Sequence, residues 1–178
     1  MRKLALALCC SLAISCSMPR SVKEGGPVSG QLINPTAKVL VLGISDGQEQ
    51  GQASVAGSGD GMVAAVRKVL MARKVPLSIT EATTLASGLA EAEKGGFDYL
   101  LKGKITLWQD NATAWSGNGD KLSLSVEMYD VKTRELAAAA SHDRVATGAT
   151  LVAGTPHRFM DEVAEGTLSQ IYGWPVPK

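Results

Sequence analysis

Two tryptophans and two aspartates lie close together in one short polar segment of the chain. Trp108, Asp110, Trp115 and Asp120 all fall between two runs of alternating apolar residues. Aromatic faces stack on sugar rings, and a carboxylate pair is the usual machinery of glycoside hydrolysis. Large aromatic residues are also unusual in loops, which indicates either a packing cluster or a recognition surface. Of these two, we favour a packing cluster. Asp120 follows the pair Asn118-Gly119 and fits the role of a turn residue better than that of a catalyst.

The remaining residues that could do chemistry form no catalytic pattern. His142 and His157 are too far apart in sequence to have metal-ligand spacing, and we expect both at the surface. The segment Gly57–Gly61 has neither the glycine spacing of a dinucleotide fingerprint nor the Gly-Lys-Ser/Thr of a phosphate loop. No nucleophile elbow, zinc-protease motif or EF-hand loop occurs in the sequence. We therefore expect no catalytic residue, cofactor or metal, and a protein that is not an enzyme.

Two predicted strands position the tryptophan segment. In residues 97–108 the apolar residues share one face, and the other face carries Lys102, Lys104, Thr106 and Trp108. In residues 122–131 the outward face is likewise polar, with Ser123, Ser125, Glu127 and Tyr129. One sheet face is therefore expected to be buried under helices, while the other is wet or covered by a partner. The two lysines are read as a solvated face, although their place beside Trp108 leaves room for an anionic ligand. The predicted interaction surface comprises Lys102, Lys104, Trp108, Asp110, Thr113 and Trp115.

The chain begins with the layout of a secretory signal. A positive start, Met1-Arg-Lys3, precedes an apolar run over residues 4–14, which is too short to span a bilayer. Leu12-Ala-Ile-Ser-Cys16 resembles a bacterial lipobox, with Ala13 where leucine is usual. We predict a signal peptide over residues 1–15 and lipidation, including palmitate, at Cys16. Ser17 follows that cysteine rather than Asp, which favours the outer membrane. The alternative is ordinary signal-peptidase cleavage that leaves a free thiol.

Cysteine usage and charge exclude several classes of function. Cys9, Cys10 and Cys16 all lie in the leader or at its end, so the mature domain has no disulfide and no thiol chemistry. Of the 18 basic side chains, two are lost with the leader, which leaves them nearly balanced against 17 acidic ones. This balance gives no electrostatic case for nucleic acid binding.

The rest of the sequence predicts a tether followed by a single α/β (α+β) domain. Residues 16–37 read as the lipidated end and a flexible tether, because Pro, Gly, Ser and Lys dominate there. Residues 38–178 follow the order β-α-β-α-β-β-β-α, with about five strands in a mixed sheet and helices mainly on one face. The predicted elements are strands over 38–43, 77–80, 97–108, 122–131 and 136–146, and helices over 61–73, 83–94 and 156–172. Ser58 or Asp60 is expected to cap the first helix, and Trp174 to fold back on the core.

The residues around the tryptophans also carry a family resemblance. Trp108-x-Asp110-x-Ala112-Thr113-x-Trp115-Ser116-Gly117, with Asp98-Tyr99-Leu100 before it and Tyr129-Asp130 after it, resembles the signature region of the domain of unknown function 4823 family of bacterial lipoproteins. Gln109 and Asn111 depart from that pattern. The resemblance implies an envelope lipoprotein with no assigned reaction. The order of elements is also similar to that of outer-membrane accessory lipoproteins that activate peptidoglycan synthases or build secretion pores.

Two functions of different classes follow as hypotheses. The favoured one is a noncatalytic outer-membrane lipoprotein that faces the periplasm and binds an envelope protein or its own copies. The alternative is a domain that binds or processes an envelope glycan. A secretion pore is a third possibility, but only residues 122–131 approach the amphipathic pattern of a membrane strand.

Overall fold

The computed structural model describes residues 19–49, 51–111, 118–146 and 154–175. Cys16 and the leader lie outside the described residues, so the predictions of cleavage and lipidation stay predictions. The strands are β1 Arg20–Pro27, β2 Val39–Leu42, β3 Leu77–Thr80, β4 Tyr99–Gln109, β5 Lys121–Asp130 and β6 Leu136–Val145. The helices are α1 Ser58–Ala72, α2 Leu85–Gly95 and α3 Met160–Tyr172, the last preceded by a 3-10 turn over Pro156–Phe159. Within the described residues, no helix is both long and apolar enough to cross a membrane.

The strands form one mixed sheet in the order β1-β6-β5-β4-β2-β3. β2 pairs in parallel with both β3 and β4, whereas β4, β5, β6 and β1 pair antiparallel in turn. α1 leads from β2 outward to β3, and α2 leads back past β2 to β4. Right-handed crossovers in opposite directions place the two helices on opposite faces of the sheet. The predicted α+β class is confirmed, with six strands rather than about five.

Two apolar clusters hold the layers together. The larger cluster lies between the sheet and helices α1 and α3, and it contains Val41, Val66, Leu124, Val126 and Leu168. The smaller one lies under α2 and contains Leu40, Leu42, Leu89, Ala92, Leu100 and Val131. β2 contributes to both clusters, since all four of its residues are buried. β2 is therefore a central strand that is covered on both sides.

The additional strand is β1, and it corrects the prediction of a flexible tether through residue 37. β1 pairs with β6 along its whole length, from Arg20 opposite Val145 to Pro27 opposite Ala138. Farther along, Ile33 is buried in the larger cluster. Residues 20–27 contain few apolar side chains, but β1 gains its order mainly from backbone hydrogen bonds to a strand that lies far away in sequence.

Helices α1 and α2 are capped in different ways. α2 has a capping box in which Thr84 accepts from the Ser87 amide, and Gly96 at φ 66° ends the helix. α1 differs, because its N-cap residue is Gly57 at φ 79° with no side-chain cap of its own. The carboxylate of Asp46 instead accepts from the amides of Gly57 and Gly59, at 3.3 and 2.8 Å. The prediction that Ser58 or Asp60 caps this helix is therefore wrong.

The last helix ends at Gly173, whose φ of 70° suits a glycine. Trp174 then folds back and stacks on Tyr172, with ring centroids 4.2 Å apart and the planes almost parallel. Arg73 from the end of α1 covers the outer face of the indole at 5.4 Å and pairs with Glu165 on α3. The prediction that Trp174 closes the core is confirmed.

Candidate functional site

Trp108 lies in the core and not on the predicted outward face. A β-bulge between Ile105 and Leu107 shifts the pairing of β4 with β5, so that Trp108 stands opposite Leu122. Trp108 is 2% exposed, whereas Leu107, which was predicted to be buried, is 37% exposed. One extra residue in a strand moves every later side chain to the other face. The prediction that Trp108 belongs to an outward surface is therefore wrong, while packing is confirmed for this tryptophan.

His157 packs against the edge of Trp108. Their ring centroids are 4.8 Å apart and the rings are inclined at 81°. His157 itself is exposed, as predicted. Because the indole is enclosed by protein, it has no free face on which a sugar ring could stack. Trp108 therefore cannot serve as one of the two sugar-stacking tryptophans of the glycan hypothesis.

Asp120 is a buried structural residue at the base of the tryptophan segment. Its carboxylate accepts from the backbone amide of Asn111 at 3.1 Å and from the Arg158 guanidinium at 2.7 Å. Its carbonyl accepts from the Ala146 amide, while the Asn111 side chain donates to the Gly119 carbonyl. A carboxylate that is 4% exposed and bonded on both oxygens ties three loops together. Asp110 is exposed, so the two aspartates do not face one another across a cleft as acid and base.

Thr113 and Trp115 fall within residues 112–117, which lie outside the described residues. Their part in the predicted interaction surface stays a prediction. Among the predicted surface residues that the structure describes, Asp110 and Lys104 are exposed and Lys102 is partly exposed. The structure thus keeps the two lysines on an outer face and removes Trp108 from it.

Lys102 belongs to a small polar network on the outer face of β4 and β5. Its ammonium group is 2.9 Å from a Glu127 carboxylate oxygen, to which the Tyr129 hydroxyl also donates at 2.9 Å. The hydrogen bond from Lys102 lowers the pKa of Glu127, and the same bond raises the pKa of Lys102. Burial, followed by the bond to Glu127, raises the pKa of Tyr129. At neutral pH this network holds a paired cation and anion that can accept further polar contacts.

The network lies on a broad uncovered surface, which we call the open face. It consists of the side chains of β4, β5, β6 and β1 that point away from α1 and α3. The pairing aligns Lys104, Ser125, Ser141 and Glu24 in one row across the four strands. The neighbouring row holds Lys102, Glu127, Ala139 and Gly26. The centre of the open face is therefore made mainly of small side chains. In the first row, Lys104 lies at one end and Glu24 at the other, so the two ends carry opposite charges.

α2 covers one end of this surface, and Ser123 near the other end is also buried. α2 packs on Leu40, Leu42 and Leu100, at the side of the sheet where β2 and β4 meet. Ser125, Ser141 and Ala139 farther along are partly exposed. The prediction that one face of this part of the sheet is wet or partner-covered agrees with this arrangement.

The opposite face holds a buried polar residue that sequence reasoning missed. His142 is fully buried, whereas the prediction placed it at the surface. Its Nε2 lies 2.7 Å from the Ser21 hydroxyl of β1, and its Nδ1 lies 3.2 Å from the Glu162 carbonyl of α3. Burial, together with Lys23, lowers the pKa of His142. The sequence could have indicated this, because His142 lies two and four residues after Ala140 and Ala138, and alternate residues of a strand share one face.

The glycine-rich loop before α1 shows why a phosphate site is not formed there. A phosphate would use the free amides at the start of a helix. In this chain Asp46 already accepts from the amides of Gly57 and Gly59. The Ser58 hydroxyl is also engaged, since it donates to the Val55 carbonyl at 2.6 Å and accepts from the Gly47 amide. Among the residues that the structure describes, no group of three His, Cys, Asp or Glu side chains could hold a metal ion.

Comparison with known proteins gives similarity in structure alone. No protein-family model matches the chain, and no curated protein sequence matches it either. The resemblance to the domain of unknown function 4823 family thus gains no support from these comparisons.

Among solved structures, a PelC dodecamer from Paraburkholderia phytofirmans aligns with a TM-score of 0.65 and 17% identity, over 87% of this chain and 98% of that one. A variant of that dodecamer in another crystal form gives 0.63 and 16%, over 86% and 98%. Protein XCC0632 from Xanthomonas campestris, of the domain of unknown function 330 family, gives 0.51 and 10%, over 77% and 85%. At these identities the likeness shows that the chain shares the fold of PelC and XCC0632.

Proposed function

We propose that this chain is a noncatalytic lipoprotein of the bacterial outer membrane that assembles with other protein chains through its open face. The observation that carries the proposal is the uncovered surface of four strands described above. An antiparallel sheet can leave one face in water, so the proposal also rests on the composition of this face. The centre of this face carries the small side chains of Ser125, Ser141 and Ala139, which let another backbone approach closely.

The charges of the open face support binding to protein. Lys102 and Glu127 are already paired, so covering them does not leave either charge without a partner. Apolar surface is also available, since Leu107 is 37% exposed farther along β4. Paired charges, a tyrosine and scattered apolar groups are typical of the mixed composition of non-obligate interfaces.

The structural relatives support assembly with copies of the same chain. The PelC structures that share this fold are dodecamers. By analogy with them, we propose that this chain also forms a homo-oligomer. Fold likeness does not transfer function, so oligomer formation needs its own test.

The position of β1 gives the membrane anchor a geometric consequence. β1 begins at Arg20, only four residues after the predicted lipid-bearing Cys16. Four extended residues reach at most about 14 Å. Gln109, Lys121 and Val145 lie at the same end of the sheet as Arg20. If Cys16 carries lipid, this end stays next to the bilayer, whereas a long tether would let the domain move away.

The noncatalytic assignment also belongs to the proposal. Among the described residues, Asp120 is bonded to Arg158 and Asn111, and His142 is enclosed between β1 and α3. These residues are explained by folding, and the glycan hypothesis retains only the exposed Asp110 and the predicted role of Trp115.

The test is in-cell crosslinking with a photoreactive residue at Ser125, in the centre of the open face. We expect discrete protein adducts that identify copies of this chain or one envelope partner. The matched control is the same group at Arg67, which is exposed on α1. Equal adducts from both positions, or glycan adducts from Ser125, would overturn the proposal. Mass spectrometry of the mature N-terminus tests lipidation at Cys16 separately.

A further inference from the structure

The sheet has two free edges, and they are built differently. β1 carries Arg20, Lys23 and Glu24, and it contains Gly25 and Gly26 at φ 105° and 150° before Pro27. Charges, irregular glycines and proline are the features by which proteins prevent an edge strand from pairing with another chain. The β1 edge is thus protected.

The β3 edge has none of these features. Its residues Leu77, Ser78, Ile79 and Thr80 are uncharged and include no proline or glycine. Ile79 is 40% exposed. In the described part of the chain, no strand pairs with β3 on the side away from β2.

The hydrogen-bonding groups of β3 on that side can be identified. The Pro76 carbonyl accepts from the Val39 amide, so it points toward β2. Successive peptide groups of a strand alternate in direction, so the backbone groups of Leu77 and Ile79 point outward. Another β-strand is the ligand that satisfies such a row of donors and acceptors.

The residues that flank β3 carry opposite charges. Lys74 precedes the strand and Glu81 follows it, and both are exposed. Neither forms an ion pair with another described residue. An antiparallel copy of the same segment brings Lys74 of each chain near Glu81 of the other. A parallel copy would bring like charges together, at a cost in free energy.

We propose that two copies of this chain pair antiparallel through β3, with Ser78 of one copy opposite Ser78 of the other. In this register Leu77 faces Ile79 of the second copy, and their outward backbone groups bond to one another. A two-fold axis through the Ser78 pair makes the contact self-complementary. The inference goes beyond the proposed function, because the β3 edge lies outside the open face. It rests on the proposed homo-oligomer and adds a second contact between copies of the chain.

The register is tested by the substitution Ser78→Cys. The two Ser78 residues would form a non-hydrogen-bonded pair of the antiparallel ladder. The Cα atoms of such a pair are about 4.5 Å apart, which is within the range that a disulfide can bridge. The purified full chain is treated with diamide, which accepts two electrons and two protons as the two thiols join. We expect a disulfide-linked dimer at low protein concentration.

Two controls define the background of this experiment. The wild-type chain has cysteines only at positions 9, 10 and 16, and it reports any linkage through them. Ser29→Cys places a thiol on another exposed serine, away from β3. Crosslinking of Ser78→Cys no faster than that of Ser29→Cys would overturn the proposed register.

Charge reversal tests the orientation without cysteine. Glu81→Lys places cations together in the antiparallel pair, and we expect the dissociation constant of the dimer to rise about tenfold. Adding Lys74→Glu restores opposite charges and is expected to restore the dimer. Glu135→Lys is the control, because Glu135 is exposed and far from β3. Failure of the double variant to recover, with folding intact by circular dichroism, would contradict antiparallel pairing.

Sedimentation of the wild-type chain separates this inference from the proposed homo-oligomer. A monomer at every concentration would overturn both. An oligomer that neither crosslinks through Ser78→Cys nor responds to charge reversal would overturn only the pairing through β3.

Discussion

The two faces of the sheet formed by β4, β5 and β6 differ in how far their side chains are buried. The face under α1 and α3 contains Trp108, Leu124, Met128 and His142, all of them buried. The open face on the other side carries Ser125, Ser141 and a charge pair that is already satisfied. The covered face determines whether the domain folds, whereas the open face can change with little effect on folding. This difference teaches that residues needed for folding and residues available for binding can alternate along the same strands.

The largest expected effect comes from Trp108→Ala. It removes an indole that is 2% exposed and packed against His157. We expect the free energy of unfolding to fall by about 3–5 kcal/mol. Leu107→Ala is the neighbouring control on the open face, and it should change that free energy by less than about 0.5 kcal/mol. Urea denaturation measures both; equal losses would contradict the assignment of faces made by the bulge.

The next effect is expected from Gly166→Ala in α3. A Cβ atom at Gly166 would lie 2.1 Å from His142 Nδ1. The helix or the imidazole must move, so we expect a loss of about 1–3 kcal/mol in the free energy of unfolding. Gly43→Ala is the control, because a Cβ atom there meets nothing within 4 Å. Thermal unfolding of the two variants should separate them clearly, and an unchanged midpoint for Gly166→Ala would show that His142 is not tightly enclosed.

A smaller effect is expected from the titration of His142. Burial lowers its pKa in the folded state, so the unfolded chain binds a proton more readily below about pH 6.5. Stability should therefore decrease as the pH falls through and below that value. His142→Gln should weaken this pH dependence. Urea midpoints measured from about pH 7.5 to pH 5 test this, and identical slopes for wild type and His142→Gln would refute it.

The smallest effect on stability is expected on the open face. Lys102 and Glu127 form an ion pair with each other, and their side chains are 43% and 39% exposed. Exposed pairs of this kind contribute about 0–1 kcal/mol to the free energy of unfolding. The pKa of Glu127 is lowered, so this contribution exists at neutral pH and disappears as the pH falls through the pKa of the folded state. Glu127→Gln should reduce the free energy of unfolding by less than about 1 kcal/mol. A loss as large as that of Trp108→Ala would show that the open face is part of the core.

Local sequence signals predicted much of the fold. Alternation in Leu122, Leu124, Val126 and Met128 placed those residues correctly on the buried side. The last two helices end within one residue of the predicted positions, at Gly96 and Gly173, because a left-handed residue after a helix favours glycine. These signals depend on residues a few positions apart, so no distant partner is needed to read them.

The candidate site was predicted less well, because its errors arise from distant partners. The prediction for Trp108 failed at a bulge that exists only through pairing with β5. The prediction for residues 20–27 failed because their hydrogen-bond partners lie on β6. Lys102 and Lys104 stayed on the outer face since they precede the bulge.

The sequence by itself therefore determined the class of fold, the order of its elements from β2 onward and the polar character of the outer face. These follow from periodicity and turn chemistry, which are local properties of the chain. The tertiary structure alone decided that β1 completes the sheet, that Trp108 and His142 are buried, and that β3 is left with an unprotected edge. Each of these depends on which strand lies beside another, and that is settled by the combined free energy of packing and pairing across the whole domain.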